Sequence, residues 1–364
     1  MSTTMAKTDK LKKLENAIKK INKDAEEPII QMASDIVNKF GFYSTPFLGL
    51  NTLIKGIPIG RFSIFAGRSQ TGKTALMYQI IAHLQEEDPE FIAVWIDFEN
   101  SHDATWAERL GVDLTRLIIL TYTTEASSME AVMDKLVDLL ALQIVGIVVI
   151  DSIGGMIPKG DVQDKEGSRS LEKANMLNLQ TKIGEVFRKF NPLISPKKDF
   201  KGTAIVMIGH VYQIPNAQGY VLEEVRGGNA VKHWAHIRVI MKRGPKNMWP
   251  AAIKVPGIDG KERLVYPGFQ GRIIFEKSKT NAHEGQEIIL DFYHGRGFDR
   301  VQSTVSSAEY FEILQRKGGW YYSDLLDGGK IQGKEALIKY FNDDKGKYKE
   351  LAGLVDEVSA TNLE

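Results

Sequence analysis

The chain has 364 residues, 43% of them hydrophobic and 26% charged; it contains no cysteine, and its 47 basic and 46 acidic residues leave a net charge of +1. That length suits one large domain plus one or two small ones, the missing cysteine excludes disulfides and thiolate metal sites, and the charge balance excludes any global pull toward nucleic acid or anionic lipid. No apolar run approaches the roughly 18 residues that span a membrane, and the opening MSTTMAKTDKLKKLENAIKKINKDAEE lacks a signal peptide's apolar centre; a reducing cytoplasm is the expected location, with no membrane role.

Leu11, Leu14, Ile18 and Ile21 recur at three- and four-residue spacing among lysines, which predicts an amphipathic helix. Its apolar stripe either packs on its own core or docks on a neighbouring copy as an oligomerisation arm over residues 1–40. From about 60 to 295, short apolar runs alternate with helical patterns. GRFSIFAG, FIAVWIDFE, GIVVIDSI, TAIVMIGH and HIRVIMKR are β-branched and nearly continuously apolar, as strands covered on both faces must be. ALMYQIIAHLQEE and SMEAVMDKLVDLLALQ between them have helical period. The alternation predicts an α/β fold with a doubly wound, mostly parallel sheet, extended by RIIFEKSKT and QEIILDFY as an antiparallel flank. After GRGFD the pattern turns helical and charged, so a core over 41–295 is expected to precede a small C-terminal α/β domain over 296–364.

The stretch AGRSQTGKTAL, residues 66–76, satisfies G-x-x-x-x-G-K-[ST] between a strand and a helix. Gly67, Arg68, Ser69, Gln70, Thr71, Gly72, Lys73, Thr74 and Ala75 are therefore expected around a nucleotide. The glycines let backbone N–H groups close on phosphates, Lys73 brings its ammonium to them, Thr74 offers a hydroxyl to Mg²⁺, and the helix N-terminus adds its positive field. Asp151, ending the apolar run IVGIVVIDS, is the expected second Mg²⁺ holder, through water. Many hydrolases of this class place Glu directly after that Asp; here Ser152 follows, so the base must come from elsewhere. Glu99 in VWIDFEN is the candidate, because neighbouring strands of such a sheet present their C-terminal ends to one crevice; the alternative is a solvated strand-end acid. His233 and His236 form H-x-x-H, but with no third ligand nearby they read as a structural pair.

The ordered set of P-loop, IDFENSHDATWAERLGVD, VVIDSI, RGGNAVK, EKSKT and KGGWYY resembles the RecA-type ATP-dependent homologous recombinases, and is most similar to their bacteriophage kind represented by UvsX, where GHVYQ-like and EKS-R/K-T segments also occur. The likeness runs from the Lys-rich N-terminal helix to GKEALIKYFNDDKGKYKEL. It implies a P-loop NTPase core, ATP and Mg²⁺ as cofactors, single- and double-stranded DNA as partners, self-assembly into a helical filament, and help from a single-strand-binding protein and a loading mediator. By the same resemblance Asp103 and Trp106 meet adenine, although Trp106 also reads as a helix-core residue. Lys277 and Lys279 would reach the neighbouring copy's nucleotide, unless they are a solvated strand end. His210 stands where an amide usually senses the γ-phosphate. Two polar, Gly-containing loops, about 158–173 and 211–228, would face DNA through Arg169, Lys173, Arg226, Gly227 and Gly228; Glu223 and Glu224 favour the alternative of ordinary surface loops. A hexameric replicative helicase and a non-catalytic recombination mediator are the rival functions.

Overall fold

The computed structural model describes residues 9–25, 28–32, 41–159, 176–215, 221–225, 228–256, 261–279 and 285–362. Two compact units divide it, Met1–Phe40 and Gly41–Glu364. In the first, α1 (Asp9–Ile21) begins on an acid and ends on Lys19 and Lys20, matching the helix dipole. None of its residues is buried, and Leu11, Leu14 and Ile21 are exposed.

The second unit opens with β1 (Phe42–Tyr43), α2 (Leu48–Ile54) and β2 (Ile57–Pro58). The run β3 (Phe62–Gly67), α3 (Lys73–Glu87), β4 (Ile92–Asp97), α4 (Ala104–Arg109), β5 (Leu117–Thr121), α5 (Met129–Ala141) and β6 (Val145–Asp151) alternates as the periodicity predicts. Next come α6 (Met176–Ile194), β7 (Ala204–Gly209), the hairpin β8 (Val211–Pro215) and β9 (Val221–Val225), α7 (Gly228–Trp234) and β10 (Ala235–Arg243). A second hairpin, β11 (Ile253–Pro256) and β12 (Glu262–Val265), precedes β13 (Gly268–Ser278), β14 (Glu287–Tyr293) and β15 (Gly297–Phe298). The last elements are α8 (Arg300–Tyr310), β16 (Gln315–Lys317), β17 (Trp320–Tyr322), β18 (Lys330–Gln332), α9 (Lys334–Asp343) and α10 (Lys345–Asn362).

Nine strands form one sheet in the order β15-β14-β13-β10-β3-β7-β6-β4-β5. From β10 to β5 the neighbours are parallel, and β13, β14 and β15 add the antiparallel flank. Because side chains alternate along a strand, β3 feeds two cores: Phe65 joins Leu76, Ile80 and Ile81 of α3 on one face, while Phe62, Ile64 and Ala66 join Leu136 of α5 and Phe187 of α6 on the other. Truncating one such side chain to Ala removes about 2–5 kcal/mol. A third cluster packs α8, α9 and α10 around Leu337, Phe341 and Leu351. β15 lies beyond residue 295 yet closes the edge of the large sheet, so the sheet reaches into the segment expected to be a separate C-terminal domain. No described helix is long and apolar enough to cross a membrane.

Candidate nucleotide-binding site

The four strands β3, β7, β6 and β4 lie side by side and parallel, so whatever follows each of them arrives at one edge of the sheet. β3 delivers the P-loop, β7 delivers His210, β6 ends in Asp151, and β4 leads to Glu99. The P-loop needs its glycines for space and for backbone conformation. A Cβ on Gly67 would lie 2.3 Å from the Met241 carbonyl oxygen, and Gly72, the residue before α3, has φ +87. Between them Gln70 also adopts a left-handed conformation, φ 61, and Thr71 donates its hydroxyl to the Arg68 carbonyl at 3.0 Å.

Lys73 is only 5% exposed, and its ammonium donates to the carbonyls of Gly67 at 3.0 Å and Arg68 at 2.9 Å. Burial lowers its pKa to about 8, against the opposing pull of Asp151 and Glu99. Thr74 donates its hydroxyl to Asp151 Oδ2 at 3.0 Å. Burial raises Asp151 to about 6; the Thr74 hydrogen bond lowers it, Glu99 and Asp97 raise it further, and Lys73 contributes the last, lowering influence. A hydroxyl and a carboxylate, both hard oxygen donors, with the carboxylate's charge under-compensated by the protein, fit a hydrated Mg²⁺.

Glu99 and His210 side chains are each 33% exposed and lie 3.2 Å apart, His210 Nε2 to Glu99 Oε1. The same oxygen accepts a hydrogen bond from the Ser152 hydroxyl, which itself accepts from the Gly154 N–H at 3.1 Å. Ser152, fully buried, thus ties the carboxylate of one strand end to the next. Asp97 pairs in register with Asp151 and spends both oxygens on the N–H groups of Ser101 at 3.0 Å and His102 at 2.8 Å. Tyr78 of α3 packs its ring at a tilt against Trp95 and bonds His102 Nδ1 at 2.8 Å, fixing the turn from the other side. Asp103 then caps α4, its Oδ1 accepting from the Trp106 N–H at 3.0 Å. Trp106 is half-buried against the core and also faces the cavity.

That cavity, about 590 Å³, takes in Ser69, Gln70, Gly72, Lys73, Thr74 and Ala75 together with Glu99, Asp151 and His210. Gly67, Arg68, Thr71 and Asp103 do not line it; Arg68 and Thr71 line an adjoining cavity. Four further lining residues carry no sequence signal of the site: Arg243 from β10, Phe269 from β13, and Phe292 and His294 from and after β14. Phe269 and Phe292 stack with ring centres 4.7 Å apart. Aromatic residues inside apolar strands read as core, and only the antiparallel return of the chain brings these rings to the P-loop.

Lys277 and Lys279 lie away from the cavity. Their ammonium groups donate to the carbonyls of Lys232 at 2.7 Å and His233 at 2.8 Å, in the last turn of α7. Cations at a helix C-terminus are favoured by its dipole and its unsatisfied carbonyls. Gly228 is the first residue of α7; Arg169, Lys173, Arg226 and Gly227 lie outside the described residues. His236 bonds the Trp234 carbonyl at 3.2 Å, and no set of metal-binding side chains forms among the described residues.

The family model for the RecA N-terminal domain matches residues 12–255. Among curated relatives, Protein RecA of Thermus aquaticus is 28% identical over 362 residues, covering 98% of this chain and 95% of its own. Protein RecA of Bacteroides thetaiotaomicron is 27% identical over 358 residues, 97% and 98% of the two chains, and that of Ureaplasma parvum serovar 3 is 28% identical over 290 residues, 79% and 78%. With a P-loop, an acidic crevice and a parallel sheet in one frame, and a family match over most of its length, the chain belongs to the RecA family and is a RecA-type recombinase, a DNA-dependent ATPase.

Proposed function

We propose that the site binds ATP with Mg²⁺ and that its hydrolysis governs a helical filament on single-stranded DNA, in which a homologous duplex is paired and strands are exchanged. The observation that carries this reading is the convergence of Lys73, Thr74, Asp151 and Glu99 at the ends of adjacent parallel strands. Lys73 exchanges its two loop carbonyls for phosphate oxygens. Thr74 and, through water, Asp151 hold Mg²⁺, which when bound supplies positive charge to the phosphate oxygens. Glu99 uses the oxygen not engaged by Ser152 and His210 to align a water on the γ-phosphorus and to accept its proton as the oxygen–phosphorus bond forms and ADP leaves. His210, at the root of the 211–228 loop, links that carboxylate to the DNA side. Asp103 and Trp106 receive the base, the indole offering a face on which adenine stacks.

Lys277 and Lys279 act on the nucleotide of the adjoining copy, as trans cations that stabilise transition-state charge. To do so they leave the α7 carbonyls, which couples the helix after the second loop to the seam between copies. Arg169, Lys173, Arg226, Gly227 and Gly228 contact the DNA backbone without reading sequence, since base pairing itself tests homology. The exposed stripe of α1 supports its role as an oligomerisation arm in a heterologous, non-closing assembly. The GHVYQ and EKSKT segments support the bacteriophage, UvsX-like kind acting in the cytoplasm of a host, with a single-strand-binding protein and a loading mediator as helpers. The deciding experiment is ATP turnover with and without single-stranded DNA. The intact chain should be stimulated by DNA, and Glu99→Gln should bind ATP yet turn over about 10²–10⁴-fold more slowly; equal turnover by the two proteins removes Glu99 from the reaction.

A further inference from the structure

Arg243 is the last residue of β10 and lines the same cavity as Glu99 and Asp151. Its Nε donates to the P-loop carbonyl of Gln70 at 2.8 Å, and one terminal nitrogen lies 3.5 Å from the Gln70 side-chain oxygen. The guanidinium carbon sits 4.2 Å from the ring centre of Phe269 and 5.8 Å from that of Trp249. A guanidinium has five N–H donors, and these two hydrogen bonds leave three without a protein partner among the described residues. No carboxylate among those residues pairs with it. Burial lowers its pKa, so the surroundings disfavour the charge that no acidic neighbour offsets. The stem of the fork is fixed by a carbonyl and an aromatic face, and the remaining donors are left for something else.

We propose that Arg243 binds the nucleotide's phosphates, as a second cation from the same copy that supplies Lys73, with its open donors taking oxygens of the triphosphate. This rests on the ATP-binding reading above. Three features of the site favour it. Arg243 is anchored to Gln70 between Gly67 and Gly72, which places its charge beside the phosphate loop. Planar, two-pronged donation suits phosphate oxygens. The aromatic contact pre-orders the side chain, so little rotamer freedom is lost on binding. Arg243 also lines an adjoining cavity of about 440 Å³ with Arg68, Lys242 and Val211, beside the hairpin that begins the second loop. A phosphate of a nucleic-acid backbone is therefore the other source of the same chemistry, and the test separates the two.

The full chain, Arg243→Gln and Arg243→Lys are titrated calorimetrically with ATP, ADP and adenosine in Mg²⁺ without DNA; single-stranded DNA binding is measured separately. Gln preserves a donor for the Gln70 carbonyl but not the charge, whereas Lys preserves the charge but not the fork. Expected are a loss of ATP affinity of roughly ten- to a hundredfold for Arg243→Gln, a smaller loss for Arg243→Lys, and unchanged adenosine binding. Unchanged ATP affinity in Arg243→Gln, with or without weaker DNA binding, overturns the inference. So does an ATP loss confined to Arg243→Lys, which would make the residue a tether of the loop alone. If the unsubstituted chain binds no ATP, this inference and the reading beneath it fall together; if it binds ATP and only the variant series disagrees, the ATP-binding reading stands.

Discussion

Lys73 and the pair Lys277 and Lys279, which we propose act on one nucleotide from two copies, lie in opposite settings. Lys73, the first residue of α3, is buried and lines the cavity, and its ammonium donates to the P-loop carbonyls of Gly67 and Arg68. Lys277 and Lys279, at the end of an antiparallel strand, rest on the carbonyl end of a seven-residue helix and do not line that cavity. Under that proposal Lys73 trades loop carbonyls for phosphate oxygens within its own cavity, whereas Lys277 and Lys279 must leave a helix end and reach a second copy. Rigidity at the cradle and exchangeable partners at the strand end are what a site must combine if binding belongs to one molecule and turnover to a pair.

The largest expected effect separates the two directly. Lys277→Ala with Lys279→Ala should lower DNA-stimulated turnover about a thousandfold, the low end of what a trans cation supplies, while ATP binding by the isolated copy is unchanged. Lost ATP binding in that double variant would place the pair in the cradle and break the contrast. Lys73→Ala should show the reverse pattern, with ATP affinity falling by roughly a hundredfold or more in calorimetry even without DNA.

Ser152→Ala sharpens the cradle side. Removing the hydroxyl that holds Glu99 Oε1 should reduce kcat about tenfold and leave KM nearly unchanged, the signature of lost positioning. A change in KM alone would assign Ser152 to substrate binding. Gly67→Ala should destabilise the fold by about 1–3 kcal/mol in chemical denaturation, because its Cβ would meet the Met241 carbonyl. Unaltered stability would mean that the loop relaxes and is less rigid than the contrast requires.

The smallest effect concerns the lysine side. His236, close to Lys277 and Lys279, has its pKa lowered to about 4, chiefly by burial and then by Arg61 and Lys279. The unfolded chain, near 6.5, binds the proton more readily, so the stability this residue contributes is present above about pH 6.5 and lost as pH falls toward 4. Solvent screening at this partly exposed position limits it to about 1 kcal/mol. Denaturation midpoints of the unsubstituted chain and His236→Gln should converge below pH 4 and separate above 6.5; parallel curves would contradict the assignment.

The cradle was legible because its chemistry constrains residue types locally: phosphate approach demands glycines, charge demands Lys73, and a strand end demands a carboxylate at Asp151. Glu99 followed from the geometry of parallel strands, and the antiparallel flank from the apolar runs after residue 270. What stayed hidden is what distant segments bring together. β5 was missed because Leu117–Thr121 is short and half-exposed. Phe269, Phe292 and His294 carry no local mark of a ligand wall, and the open fork of Arg243 shows only once β10 lies beside the P-loop. The resting partners of Lys277 and Lys279 were equally invisible, since a backbone carbonyl acceptor leaves no trace in residue identity.

The most direct test of the shared site is a mixing experiment. Glu99→Gln protein and the Lys277→Ala, Lys279→Ala protein are assayed for ATP turnover on single-stranded DNA, alone and combined in equal amounts. Each alone should be nearly inactive, while random co-assembly should create seams with an intact Glu99 on one side and intact lysines on the other, restoring roughly a quarter of the unsubstituted rate. A mixture as inactive as its components, in filaments shown to contain both proteins, would contradict a nucleotide site completed by the neighbouring copy.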